Sequence, residues 1–104
     1  MPLQIRTLKK NELKLLYKYA KIEGWETEEL YINTLFKLSN DGFFVAFLKK
    51  QLIGFIVGVK HSSQFASISS FLIIKQFRAQ GHGKALLHHA LKYLDGYQIA
   101  LDSV

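Results

Sequence analysis

Between residues 43 and 74 the chain carries three runs rich in apolar, β-branched and aromatic residues, FFVAFL, LIGFIVGVK and FASISSFLII, separated only by KKQ and HSSQ. Connections this short cannot hold a crossover helix, so consecutive runs must lie antiparallel, and three such strands in succession form a meander. The first turn is Lys49-Lys50-Gln51 and the second opens at His61. The third run alternates at first, Ala66 and Ile68 against Ser67 and Ser69, and then becomes wholly apolar in FLII. A sheet this apolar must be covered by other elements.

The flanking sequence supplies the cover. Residues 3–8 begin with an apolar/polar alternation, a short strand signal. Asn11 then offers an N-cap, and Leu13, Leu16, Tyr17 and Ala20 recur at helical spacing, which predicts an amphipathic helix over residues 11–22 with a Lys-rich face in water. Gly24 ends it, Thr27 caps a second helix with Ile32, Leu35 and Phe36 on one face, and Asn40-Asp41-Gly42 stops that one. After the meander comes FRAQGHGK. A helix with Leu86, Leu87, Ala90, Leu91 and Leu94 on one face follows, then Asp95-Gly96 and a last strand in YQIALDSV. The order β-α-α-β-β-β-α-β predicts an α/β (α+β) fold, a mixed, mainly antiparallel sheet with helices on its faces. No repeat or linker interrupts it, and 104 residues make one domain, 1–104.

Fourteen Lys and Arg against eight Asp and Glu leave a net charge of +6 and a pI near 9.6. Such a balance suits a polyanionic partner, whether nucleic acid, membrane surface or phosphorylated cofactor. No helix-turn-helix pattern or aromatic RNA-binding signature accompanies the charge, so nucleic acid ranks last. No cysteine occurs, which removes disulfides, thiolate nucleophiles and zinc-thiolate sites and fits a cytoplasmic location. The N-terminus, MPLQIRTLKK, lacks a signal-peptide core, and the apolar stretch 52–59 is too short to span a bilayer, so no membrane association is expected.

Half of the acids fall in EGWETEE: Glu23, Glu26, Glu28 and Glu29. They form either a solvated turn leading into a helix N-terminus or a lip that attracts a cationic substrate. Trp25, in their midst, is a core anchor or a wall of that site. His88 and His89 are adjacent on a helix, diverge by about 100°, and do not make a metal pair.

The remaining feature is Gly81-His82-Gly83 between an apolar strand and an apolar helix. Two glycines there let the backbone approach a ligand, and they point the first amides of the helix at an anion. Gly83 also falls on the apolar stripe, so its small size could instead serve helix-to-sheet packing. A P-loop is excluded by spacing and by Ala85 in place of Ser or Thr. A dinucleotide fingerprint has Leu86 where its third glycine belongs and follows a meander instead of opening a parallel βαβ unit, although Asp102 lies at a suitable distance.

Arg78-Ala79-Gln80-Gly81-His82-Gly83 reads R-x-x-G-x-G, which resembles the [QR]-x-x-G-x-[GA] signature of the GNAT superfamily of N-acetyltransferases. FLII leading in, Phe77 before the Arg, Lys84-Ala85-Leu86-Leu87 continuing into the helix, and the element order upstream extend the likeness over residues 3–104. The resemblance implies acetyl-CoA as cofactor. The backbone of Phe71, Leu72 and Ile73 would pair with its pantetheine arm, and the turn opened by Arg78, through the amides of Ala79, Gln80, Gly81, His82, Gly83 and Lys84, would wrap its pyrophosphate. The strands starting at Phe65 and Tyr97 would run parallel and splay apart, leaving a slot.

It further implies acetyl transfer to a primary amine, on a small molecule or a peptide, by direct attack without a covalent enzyme intermediate. A backbone N–H near Ile73 would stabilise the oxyanion. Family members often place a carboxylate base on the strand before the motif, but residues 65–74 contain no Asp or Glu; Asp102 or the EGWETEE patch could serve instead. Trp25, Glu26 and Asp102 are the acceptor-side candidates, and no residue is assigned as acid or base. The family's usual acid is a Tyr on a helix beyond the last strand here. Tyr31, Tyr93 and Tyr97 do not match its position. The expectation is therefore a chain short of the usual C-terminal helix and hairpin, with an open edge that a second copy could cover. The alternative to an enzyme is a CoA-binding or interaction module.

Overall fold

In the computed structural model, residues 3–24 and 29–101 are described. Strands β1 (Gln4–Thr7), β2 (Phe43–Leu48), β3 (Gln51–Lys60), β4 (Phe65–Ile73) and β5 (Gln98–Leu101) and helices α1 (Leu13–Ile22), α2 (Glu29–Ser39) and α3 (His82–Tyr93) occur in the expected order. The sheet keeps chain order, β1-β2-β3-β4-β5. Its first three junctions are antiparallel, and β4 and β5 run parallel with α3 as the crossover.

Alternation along the strands sorts the core into two clusters. Phe43, Val45, Phe55, Val57, Val59 and Leu72 pack with Leu13 and Leu16 of α1 and Ile32 and Leu35 of α2. Phe44, Ala46, Ile56, Ala66 and Ile68 pack with Leu86, Ala90 and Leu94 on the other side, so the sheet lies between α1/α2 and α3. Each fully buried Phe, Ile or Leu here contributes roughly 1.5–3 kcal/mol.

Two irregularities reset the alternation. Between β2 and β3 the register steps from Ala46↔Gly54 to Phe47↔Leu52, skipping Ile53, which brings Ile53 to the α3 face. Between β3 and β4 it steps from Val57↔Ser70 to Gly58↔Ile68, leaving Ser69 as an extra residue. Before this bulge the even-numbered Ala66 and Ile68 face α3; after it Leu72 faces α1/α2 and Ile73 faces α3. In the wholly apolar FLII only Leu72 is buried; Ile73 and Ile74 are half-buried and Phe71 is exposed.

Some local expectations need correction. Asn11 is not a helix cap: Lys10–Glu12 form a 3₁₀ turn, and the Glu12 carboxylate accepts the Lys9 amide at 2.8 Å while pairing with both terminal nitrogens of Arg6 at 2.9 and 2.7 Å. The β2–β3 turn is Lys49-Lys50 alone, with Gln51 already paired to Leu48. Both lysines have positive φ, 51° and 67°, the sign a primed two-residue hairpin turn demands. Leu91 lies off the apolar stripe and is exposed. Gly24 does end α1 in the left-handed region (φ 78°). Gly42 is required by close approach, because a Cβ there would lie 1.9 Å from the Gly58 carbonyl oxygen.

Candidate active site

The site begins where β4 loses a partner. Its ladder with β5 runs from Phe65↔Gln98 to Ile68↔Leu101, the last described residue of β5. Among the described residues, 70–73 pair with β3 alone, so one edge of β4 has no strand partner there, although the Ile73 carbonyl on it accepts the Arg78 side chain. The splaying expected of these strands falls beyond Leu101, outside the described residues.

Beyond this free edge the chain turns into α3. The Ile74 amide donates to the Ile53 carbonyl (2.9 Å), and Lys75–Phe77 form one 3₁₀ turn. Ala79 and Gly81 then adopt positive φ, 63° and 85°. The Ala85 amide donates to the Gly81 carbonyl at 3.2 Å, so the amides of His82, Gly83 and Lys84 precede the helical ladder at the positive end of α3. A Cβ on Gly81 would meet nothing within 4 Å, so its backbone conformation, not space, selects glycine. A Cβ on Gly83 would make ordinary contacts at 3.5 Å with Ile73 Cγ1 and Phe71 Cζ. A methyl group therefore fits at Gly83, and close packing does not by itself require glycine there.

Arg78 is engaged rather than free. Its Nε donates to the Ile73 carbonyl at 2.8 Å, and its Nη2 pairs with Glu23 Oε1 at the end of α1. The guanidinium thus ties the last residue of β4 and the end of α1 to the turn. Glu23 accordingly leaves the acidic patch as a substrate lip. Gln80 Nε2 reaches the Gln76 carbonyl (3.3 Å), while Lys75 and Lys84 are exposed cations flanking the turn. His82 Nε2 is buried without a hydrogen-bond partner. Phe71, 37% exposed, stands beside Gly83. A turn of free amides, an orphaned imidazole nitrogen and flanking lysines suit a phosphate-bearing ligand.

Of the other candidates, Trp25, Glu26, Thr27 and Asp102 lie outside the described residues, as does the side chain of Tyr31. Tyr93 sits at the far end of α3, about 16 Å from its N-terminus at 1.5 Å per residue. Burial raises its phenol pKa, with a hydrogen bond to Asp41 adding to the shift. His88 and His89 are exposed, His89 standing edge-on to Phe44 at 4.7 Å. Among the described residues no group of His, Asp and Glu could hold a metal ion, and no helix is long and apolar enough to cross a membrane.

Sequence reasoning missed three features of this region: the Glu23–Arg78 pair, the bulge at Ser69, and a 2.7 Å contact between His61 Nε2 and Ser67 Oγ. The first joins residues 55 apart and leaves no local trace. The third had a weak signal, a histidine and a serine flanking one predicted hairpin turn.

A family model described as the acetyltransferase (GNAT) family matches residues 10–102. No curated protein matches the sequence. Among solved structures, Ard1 from Thermoplasma volcanium is 26% identical with a TM-score of 0.84, the match covering 97% of this chain and 71% of that one. PH1933 from Pyrococcus horikoshii is 31% identical with a TM-score of 0.72, covering 96% and 77%. Arabidopsis thaliana Naa50, solved with the bisubstrate analogue CoA-Ac-MVNAL, shares the fold at 16% identity and a TM-score of 0.82, covering 97% and 72%. With nearly all of its elements inside the matched span and its sheet and turn laid out as described, the chain belongs to the GNAT family of acetyltransferases.

Proposed function

We propose that the chain binds acetyl-CoA along the free edge of β4 and in the turn at residues 78–84, and that it promotes acetyl transfer to a primary amine by direct attack. The observation that carries this is the juxtaposition of the two: an unpaired strand edge that runs straight into free amides at a helix N-terminus. An extended arm with amide groups can pair with such an edge as an added strand, here the backbone of Phe71, Leu72 and Ile73. The amides of Ala79 to Lys84 would take the pyrophosphate, and His82 Nε2 would donate to it and gain the partner it lacks. Bound acetyl-CoA supplies an acetyl group already activated as a thioester.

The chain's own part is to fix that group and to exclude water. Phe71, exposed beside the turn, offers apolar cover. Arg78 holds the end of β4 and the end of α1 in one geometry, so the cofactor turn and the end of α1 are set together. Glu26 and Glu28, with Trp25 and Asp102, remain as acceptor-side residues suited to a cationic amine. The peptide-bearing analogue in Naa50 supports an amine on a peptide as one acceptor class.

Calorimetric titration with acetyl-CoA, with NAD and a short DNA duplex as controls, tests the reading. Selective acetyl-CoA binding that is lost in Gly83→Glu is the expected result. A carboxylate in the first turn of α3 favours the helix, so the loss would not come from unfolding. A folded chain that ignores acetyl-CoA would overturn the proposal. Release of CoA on adding amines then separates an enzyme from a CoA-binding module.

A further inference from the structure

Adding an acetyl group to an amine requires a place for the amine's protons, and a positioned acceptor speeds that transfer by roughly 10²–10⁴-fold. β4, which borders the slot, has no carboxylate. The buried polar side chains among the described residues are Ser39 and Ser67. Ser39 donates to the Gly58 carbonyl at 3.4 Å. Ser67 lies on β4 itself, 6% exposed, with its Oγ 2.7 Å from His61 Nε2.

The placement of this pair is specific. Ser67 pairs with Val59 on one side and Ala100 on the other, one step before the last β4–β5 pair. It stands opposite Val59 on the α1/α2 face, about 7 Å along the strand from the bulge at Ser69, past which β4 pairs with β3 alone among the described residues. An arm anchored at the turn and running back along residues 73–71 ends at that bulge.

His61 is held to the task by its own turn. Its amide donates to the Phe65 carbonyl (2.9 Å), Ser62 Oγ accepts the amides of Gln64 and Phe65 (3.2 and 3.1 Å), and the Gln98 amide donates to the Gln64 carbonyl (2.7 Å). The neighbouring cation points away, since the Lys60 ammonium lies over the rings of Tyr93 and Tyr97 on the α3 face, at 4.1 and 5.1 Å. The imidazole is exposed, which gives a proton a way out to water.

We propose that Ser67 and His61 form the proton-accepting relay for the amine. This rests on the function proposed above. The amine nitrogen bonds to the acetyl carbon as the carbon–sulfur bond breaks. The nitrogen's proton passes to Ser67 Oγ while the Ser67 hydroxyl proton passes to His61 Nε2. The imidazolium then releases its proton to solvent, from which the departing sulfur takes one. The relay requires the neutral ring to carry its proton on Nδ1.

Long-range nitrogen–proton NMR of histidine-labelled chain reads that tautomer without any ligand. An Nδ1-protonated His61 whose preference fades in Ser67→Ala is expected, and a ring protonated on Nε2 would overturn the relay. Kinetics with spermidine and with a lysine-bearing peptide give the second readout. Ser67→Ala and His61→Gln should each lower kcat roughly 100-fold while the acetyl-CoA Kd stays within about twofold, and added imidazole should restore part of the rate in His61→Ala. Unchanged kcat in a chain that binds acetyl-CoA and turns over would overturn the relay alone. Absence of acetyl-CoA binding or of any turnover would overturn the proposed enzyme and the relay with it.

Discussion

Gly81 and Gly83 are two residues apart and serve opposite ends. Gly81→Ala forces a side chain into φ 85° and should cost about 1 kcal/mol, whereas Gly83→Ala meets only ordinary contacts and should be neutral or gain up to about 1 kcal/mol in helix propensity. Urea denaturation of the two variants separates them. Glu12 is a second residue whose environment sets its chemistry: the hydrogen bonds from Arg6 bring its pKa from 4.5 down to about 2. Because the folded value lies below the unfolded one, this stabilisation is complete above pH 4.5 and is lost as pH falls towards 2. Arg6 is 41% exposed, so screening limits the pair to about 1 kcal/mol. Glu12→Gln should lower the urea midpoint at neutral pH, and the gap should close near pH 2.

At the scale of elements, the β2–β3 turn holds two lysines at positive φ, a conformation that Asn-Gly adopts without strain. Lys49→Asn with Lys50→Gly should raise stability by roughly 1 kcal/mol, read as a higher melting temperature with the sheet unchanged. The α1–β4 connection behaves differently. Its Arg78–Glu23 pair is partly exposed, so its loss should scarcely move the melting temperature. Glu23→Gln should instead weaken acetyl-CoA binding about threefold by freeing Arg78 from its second tether, an effect that calorimetry at low and high salt would detect and that salt should diminish. The elements themselves were legible because each carries its own period: Leu13, Leu16 and Ala20 in α1, and Leu86, Ala90 and Leu94 in α3, are all buried as the spacing requires. Asn11 and Leu91 misled because caps and stripe edges depend on tertiary neighbours. Glu12, not Asn11, stands at the start of α1, its carboxylate held by Arg6 and the Lys9 amide instead of capping the helix, and Leu91 is exposed.

On the scale of the whole molecule, the three-layer plan follows from alternation, yet the faces of β4 could not be assigned without the bulge. Counting by twos from Ala66 puts Leu72 towards α3 and Ile73 towards α1/α2, the reverse of what is found. Deleting Ser69 should remove the extra residue and leave an unbroken alternation in which Ile68, Phe71 and Ile73 keep the α3 face. The variant should therefore stay folded with a urea midpoint close to that of the parent, and a large drop would show that the bulge contributes more than a change of face. The turn was readable for the same reason that the strand was not: its message lies in six consecutive residues, whereas the bulge, the Arg78 tether and the His61–Ser67 contact arise only when separate segments meet.

The chain-ordered sheet also has a temporal consequence. Among β2, β3 and β4, each strand can pair with its chain neighbour as soon as a short turn closes, whereas β5 must wait for all of α3 to be laid across the sheet before its four-pair parallel ladder forms. Loop-closure entropy grows with the intervening length, so β1, which waits for α1 and α2, and β5, which waits for α3, both join after the meander. The β4–β5 border is therefore among the late parts of the sheet to assemble. The molecule's capacity to hold a ligand is thus gained late in folding, after the scaffold that presents it is already in place.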